Sequence, residues 1–233
     1  MADKTPNAAF CRNGSGANPG GPSRTLYFFK ERQYLCWDLL TEGPVAGFPR
    51  EIRDDWPGLL EVFPGRRITA ALLVPEWGER VYFFFGGEAR AAVWDLTAGR
   101  VEPETIAIAA LLPGAFSGAG AFTPVCAETA AGQRVIYGFR GEEYTRWSVP
   151  AHGFPPAEDP GYPHRIAADW KDGLVLAPKC GVHAQWPNRS TAHSNNKIYF
   201  FMGDLYLRWD VPSNTRNYRT DIYAGWKNWP RFD

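Results

Sequence analysis

The sequence predicts an all-β fold, a four-bladed β-propeller with a short helix at the end of each blade. Three observations carry that prediction: a fourfold internal repeat, a tyrosine-to-tryptophan hairpin within each repeat, and a composition rich in both aromatic and turn-forming residues. The repeat shows as aromatic runs at Leu26-Tyr27-Phe28-Phe29, Val81-Tyr82-Phe83-Phe84, Ile136-Tyr137-Gly138-Phe139 and Ile198-Tyr199-Phe200-Phe201. Their tyrosines fall 55, 55 and 62 residues apart. Self-similarity at such a period marks a repeat architecture, in which each copy buries its apolar face against its neighbours. The chain of 233 residues holds 10 Trp, 10 Tyr and 15 Phe beside 24 Gly and 20 Pro, which suits short strands joined by tight turns.

Each unit opens on a short segment of small residues: Asn7-Ala8-Ala9-Phe10, Thr69-Ala70-Ala71-Leu72, Ala119-Gly120-Ala121-Phe122 and Val182-His183-Ala184-Gln185. Small side chains there allow the close backbone approach that four strands crowding one axis require. The aromatic run follows, then a turn: Lys30-Glu31, Gly86-Gly87-Glu88, Gly141-Glu142 or Gly203-Asp204. Beyond the turn, alternating residues lead to a tryptophan, at Trp37, Trp94, Trp147 and Trp209. Alternation on both sides of a Gly-acidic turn is the signature of a hairpin. An acidic residue follows the tryptophan in three units (Asp38, Asp95, Asp210), and Ser148 takes its place in the other.

A helical turn is expected next, at 49–56, 103–111, 163–170 and 219–226, because Pro opens three of these segments and is tolerated in a first turn. Ile and Trp four apart share one helix face in Ile52/Trp56, Ile166/Trp170 and Ile222/Trp226. Unit two carries no such Trp, and Ala110 is expected at the corresponding place. The resulting blades span about 7–60, 69–112, 119–176 and 182–230 of a single domain, 1–233. A solenoid of the same units would need polar capping repeats, which the sequence does not show; a closed ring removes both open ends.

These units resemble hemopexin-type repeats, and the resemblance runs from Asn7 to about Trp229. The small-residue entry, the Tyr-Phe-Phe strand, the Gly-acidic hairpin, the Trp-Asp exit and the Pro-bounded helix are all features of that family. The layout is most similar to stand-alone four-bladed members, such as plant seed albumins of the albumin-2 type and related bacterial or fungal proteins. The resemblance implies a central channel in which backbone carbonyls of the first strands coordinate calcium or sodium. Carried over by position, one carbonyl ring is Asn7, Thr69, Ala119 and Val182, and a second is Ala9, Ala71, Ala121 and Ala184. The family often has Asp at the first position, and here only Asn7 comes close, which lowers the charge offered to a divalent ion.

Composition narrows the function. Lys+Arg and Asp+Glu are 25 each, so the formal net charge is zero, with no long-range field for nucleic acid or an anionic membrane. No stretch is long and apolar enough for a membrane helix. The amino-terminal residues lack an apolar signal region, so a cytoplasmic protein is expected, secretion staying open if that end is processed. Four scattered cysteines (Cys11, Cys36, Cys126, Cys180) form no CxxC pair and read as structural thiols. No GxSxG, HExxH or GxxxxGK[ST] motif occurs, so no enzymatic activity is expected.

What remains is binding. Among the four histidines, His183 falls in a channel segment where other units have Ala or Gly, which makes it the expected axial ligand if the protein binds haem as some hemopexin-type proteins do. Trp77 and Trp186 lie outside the repeated hairpins and are candidates to stack on a ligand. The expected function is non-catalytic binding of a small ligand, haem or a polyamine, with a metal ion in the channel. A carbohydrate-binding lectin (a hemagglutinin) or a protein-interaction disc is the alternative. The sequence leaves the oligomeric state open, a homodimer included.

Overall fold

The computed structural model describes residues 5–13, 24–116, 122–151, 154–170, 173–185 and 196–232. Within them lie four antiparallel sheets, each built from consecutive strands running outward from a common axis. The inner strands are Ala8–Asn13, Ile68–Leu73, Thr123–Glu128 and Cys180–Gln185. Each pairs with the aromatic strand that follows it, Arg24–Lys30, Arg80–Phe85, Arg134–Arg140 or Asn196–Met202. The hairpin then returns along Gln33–Asp38, Arg90–Asp95, Glu143–Ser148 or Leu205–Asp210. Every inner strand contacts the inner strands of the two neighbouring blades, so the ring is closed.

The outer edge differs among the blades for a local reason. In blade four one strand, Thr215–Asp221, runs seven residues. In the other three the edge is split into two-residue pieces, such as Gly43–Pro44 and Arg50–Glu51. Proline lies between or beside the split pieces (Pro44, Pro49, Pro103, Pro160, Pro163) and is absent from 213–229. A proline has no N–H for the ladder and interrupts it. In three blades the acidic residue after the repeat tryptophan ends the third strand. Asp38 accepts from Leu40 N at 2.7 Å, Asp95 from Thr97 N at 2.8 Å and Asp210 from Ser213 N at 3.0 Å.

Four single-turn helices follow, Ile52–Asp55, Ile108–Leu111, Ile166–Asp169 and Ile222–Gly225. Each begins on a buried isoleucine and closes with a backbone bond from the residue four further on: Trp56, Leu112, Trp170 and Trp226. This corrects one expectation: Leu112, not Ala110, stands where the other blades have tryptophan. The helix of blade two starts at Ile108 rather than Ile106, which lies in an edge strand instead. The three tryptophans fill the seams between blades. Trp56 meets Phe83 and Trp94 of the next blade, Trp170 meets Phe200 and Trp209, and Trp226 meets Phe28 and Trp37.

The seam between blades two and three is filled differently. Leu112 covers less than an indole, and Phe116 from the following loop is buried beside it. Trp147 then lies across Gly138, donating Nε1–H to the Pro113 carbonyl at 2.7 Å. A Cβ on Gly138 would stand 2.7 Å from the Trp147 ring, which accounts for the glycine in a place where the other blades have phenylalanine. Elsewhere the ring closes between the chain's two ends. The Thr5 hydroxyl donates to the Gly203 carbonyl in the hairpin of blade four.

Candidate functional site

Two features of the disc could hold a ligand: its axis and a cleft on its rim. Pairing with the aromatic strands sets the register around the axis. Ala9 lies opposite Phe28, Ala71 opposite Phe83, Pro124 opposite Gly138 and Gly181 opposite Phe200. These four are therefore equivalent, and two residues further on stand Cys11, Leu73, Cys126 and His183. All eight line one axial cavity of about 30 Å³. A water needs roughly 10–15 Å³ measured in this way, so the cavity has room for one or two waters or one small ion.

This register corrects the carry-over from the repeats. Asn7, Thr69, Ala9 and Ala71 fall at matching places in blades one and two. The structure puts Phe122 and Pro124 in the corresponding places of blade three, and Lys179 and Gly181 in those of blade four. Ala119 and Ala121 lie outside the described residues. Val182 and Ala184 stand three positions after Lys179 and Gly181 in this register, and Val182 still borders the axial cavity. They pack into the seam with blade one, together with Ala9 and Phe28. Small residues mark an inner strand poorly, because cross-strand pairing with the aromatic run decides its register.

At one mouth of the axis lie Asn7, Thr69, Thr123 and Lys179, with Arg67 and Glu31 joined in an ion pair at 3.1 Å. Toward the other end, Arg134 lines the cavity and bonds Glu76 and Glu128, each at 3.2 Å. His183 is 5 % exposed, and its Nε2 meets Asn196 Oδ1 at 2.6 Å. Asn196 Nδ2 in turn donates to the Glu128 carbonyl at 2.7 Å, which orients the amide and makes Nε2 the donor. Burial, reinforced by the nearby Arg134 and opposed by the Asn196 bond, takes the imidazole down to about 4. His183 is thus a neutral, enclosed side chain bound to its own blade, and its ring is not presented to a molecule as large as haem.

Among the described residues no three His, Cys, Asp or Glu side chains gather around a common point as metal ligands would. None of the four cysteines is in a disulfide. Burial pushes the Cys126 thiol up to about 12 and raises Cys36 and Cys180 as well, which keeps them protonated. No described helix is long and apolar enough to cross a membrane.

The rim cleft is built around Trp77, which ends a single 3-10 turn, Pro75–Trp77, between the first two strands of blade two. The turn is closed by Trp77 N to the Val74 carbonyl at 2.9 Å. It holds the indole against Tyr82 at 5.7 Å and 84°, and against Phe154 of blade three at 5.1 Å and 89°. The cleft measures about 580 Å³, within the range of small-molecule sites. Its remaining wall carries Glu76, Glu102, Glu104 and Arg80, with Val93 and Ile106. Arg80 Nε donates to Glu102 at 2.7 Å.

Of the two tryptophans singled out in the sequence, Trp77 lines this cleft and Trp186 lies outside the described residues. Sequence reasoning missed Phe154, Tyr82 and the three glutamates. Phe154 comes from the long connection of a different blade, and Tyr82 reads as one more repeat tyrosine. Glu102 and Glu104 flank the proline of an edge segment whose only visible signal was a helix start.

No protein-family model matches the sequence, and no curated protein is significantly similar to it. Solved structures are. LS24, a seed albumin from Lathyrus sativus, superposes with a TM-score of 0.66 at 18% identity, covering 97% of this chain and 96% of that one. The hemopexin fold protein CP4 from cow pea gives 0.65 at 18% identity, with 95% of each chain covered. A plant lectin with two metal binding sites from Cicer arietinum gives 0.62 at 18% identity, again over 95% of each. At that identity the likeness speaks to architecture: four blades in a closed ring, turns of helix in the seams. The chain has the hemopexin fold.

Proposed function

We propose that the protein is a non-catalytic disc that binds a small organic cation, the class to which polyamines belong, in the cleft beside Trp77. One observation carries this reading: three aromatic side chains and three carboxylates line a single cleft. Ring faces attract a cation, and carboxylates add to that attraction at the cleft wall. Haem has less to recommend it, since the propionates would meet those carboxylates and His183 is enclosed. Titration with putrescine and spermidine, followed by tryptophan fluorescence, is expected to show saturable binding. Replacing the exposed Glu104 (E104Q) should weaken it roughly five- to tenfold, about 1 kcal/mol for one charge beside a partly exposed cation site. Binding of hemin with a shifted Soret band, and of no organic cation, would sink the proposal.

A lectin is the second reading, favoured by the flat rings of Trp77 and Phe154 and by the lectin from Cicer arietinum among the similar structures. Sugars stack on such faces without needing the carboxylates. Hemagglutination inhibited by a simple sugar, and unaffected by E104Q, would replace the cation reading with this one.

For the axis we propose water or a monovalent ion such as sodium, not calcium. Calcium takes six to eight oxygen ligands, carboxylates prominent among them. The ring positions Ala9, Ala71, Pro124 and Gly181 bring no side-chain oxygen, and the Arg134 guanidinium lines the same cavity. The melting temperature is accordingly expected to be the same with millimolar calcium as with a chelator; a calcium-dependent rise of several degrees would refute the assignment.

A further inference from the structure

We propose that the Trp77 cleft takes a quaternary ammonium head, of the choline class, in preference to a polyamine. This rests on the reading that the cleft is the ligand site for an organic cation. The first argument is charge. Glu76 is held by Arg134 at 3.2 Å and Glu102 by Arg80 at 2.7 Å. Glu104 is exposed and makes no ion pair or hydrogen bond among the described residues. Arg134 is shared with Glu128, and among the carboxylates lining the cleft Glu104 alone has no cationic partner among the described residues, so a single positive charge suffices to pair it. A polyamine would bring further charges that must stay in water or displace Arg80 or Arg134.

The second argument is the chemistry of the wall. Tyr82 and Phe154 stand nearly perpendicular to Trp77, at 84° and 89°, so the three rings form a corner, and Val93 and Ile106 extend its apolar surface. A primary ammonium entering that corner would lose water from three N–H donors and find ring faces in exchange. A trimethylammonium has no N–H to satisfy, and its methyl groups carry the positive charge into contact with the rings. The Tyr82 side chain is 6 % exposed, and its hydroxyl makes no hydrogen bond among the described residues. It is left to meet the hydroxyl that choline carries beyond the nitrogen.

The test is a calorimetric titration of the whole chain with choline, tetramethylammonium, the neutral isostere 3,3-dimethylbutan-1-ol, and spermidine. Choline and tetramethylammonium are expected to bind at least about tenfold more tightly than the other two. Phe154→Ala should cost choline a further several-fold, and Phe154 is 45 % exposed, so the variant keeps the fold. Spermidine binding as tightly as choline would overturn this inference and leave the organic-cation reading standing. Equal binding of the neutral isostere would overturn it too, since charge would then play no part. Binding of none of these cations would overturn both.

Discussion

Trp226→Ala is expected to destabilise the protein by about 3–5 kcal/mol, the usual cost of removing a large buried aromatic side chain. Trp226 is 3 % exposed and packs its ring against Phe28 at 5.6 Å, Trp37 at 4.9 Å, Phe201 at 5.7 Å and Trp229 at 5.5 Å. Phe28 and Trp37 belong to the first blade and the others to the last. The indole thus joins the two ends of the chain across the seam that closes the ring. Neighbouring rings are fixed by their own strands and cannot collapse into the space left behind, so the cavity persists. In a domain of this size the loss corresponds to a fall in melting temperature on the order of 10 °C. Urea titration gives the same quantity as a shifted midpoint. Trp226→Phe should retain most of the packing and lose much less. An unchanged midpoint in the alanine variant would show that the ring does not depend on this seam.

His183 should make stability fall as the pH drops from about 6.5 to about 4. In the unfolded chain its imidazole protonates near 6.5, whereas burial holds the folded group down to about 4. Between those values the unfolded state binds the extra proton and the folded state does not, so acid favours unfolding. The contribution is present in full above 6.5 and is lost by the time the pH reaches the folded value. Two and a half units correspond to at most about 3 kcal/mol. The groups around the ring are Asn196 on its own blade, and the Glu128 carbonyl and Arg134 on the next. Of these only Arg134 is charged, and it too opposes a second positive charge. Carboxylates elsewhere titrate in the same range, so the informative quantity is a difference. Urea midpoints measured from pH 7.5 to 4.5 should fall less steeply for His183→Gln than for the unaltered protein. Parallel slopes would show that His183 is already solvated in the folded state.

Both predictions concern residues visible in the sequence, yet their roles were not equally legible there. Trp226 belongs to a repeat, and the Ile-x-x-x-Trp spacing put it on one face of a helical turn with Ile222, while its place in a seam came from the structure. His183 could be placed on the axis, and it lines the axial cavity. What the sequence did not show is its bond with Asn196, whose amide is anchored to the carbonyl of a different blade. The channel rings fared in the same way: blades one and two were read in register, while blades three and four were off by three residues. Thr123-Pro124 and Cys180-Gly181 do not resemble Ala8-Ala9, although they occupy the same positions.

The sequence by itself determined the four units, their hairpins, the Ile and Trp that share a helix face in three of them and the closure into a ring. Those features depend on local alternation and spacing, and four copies state the pattern redundantly. Only the tertiary structure decided which residues meet in the rim cleft, and how its charge is balanced. Trp77 and Phe154 are 77 residues apart in the sequence and become neighbours because adjacent blades bring their loops together. Likewise, three glutamates on two segments count as three charges in the sequence. In the folded disc two of them face Arg134 and Arg80, and one carboxylate is left for a ligand.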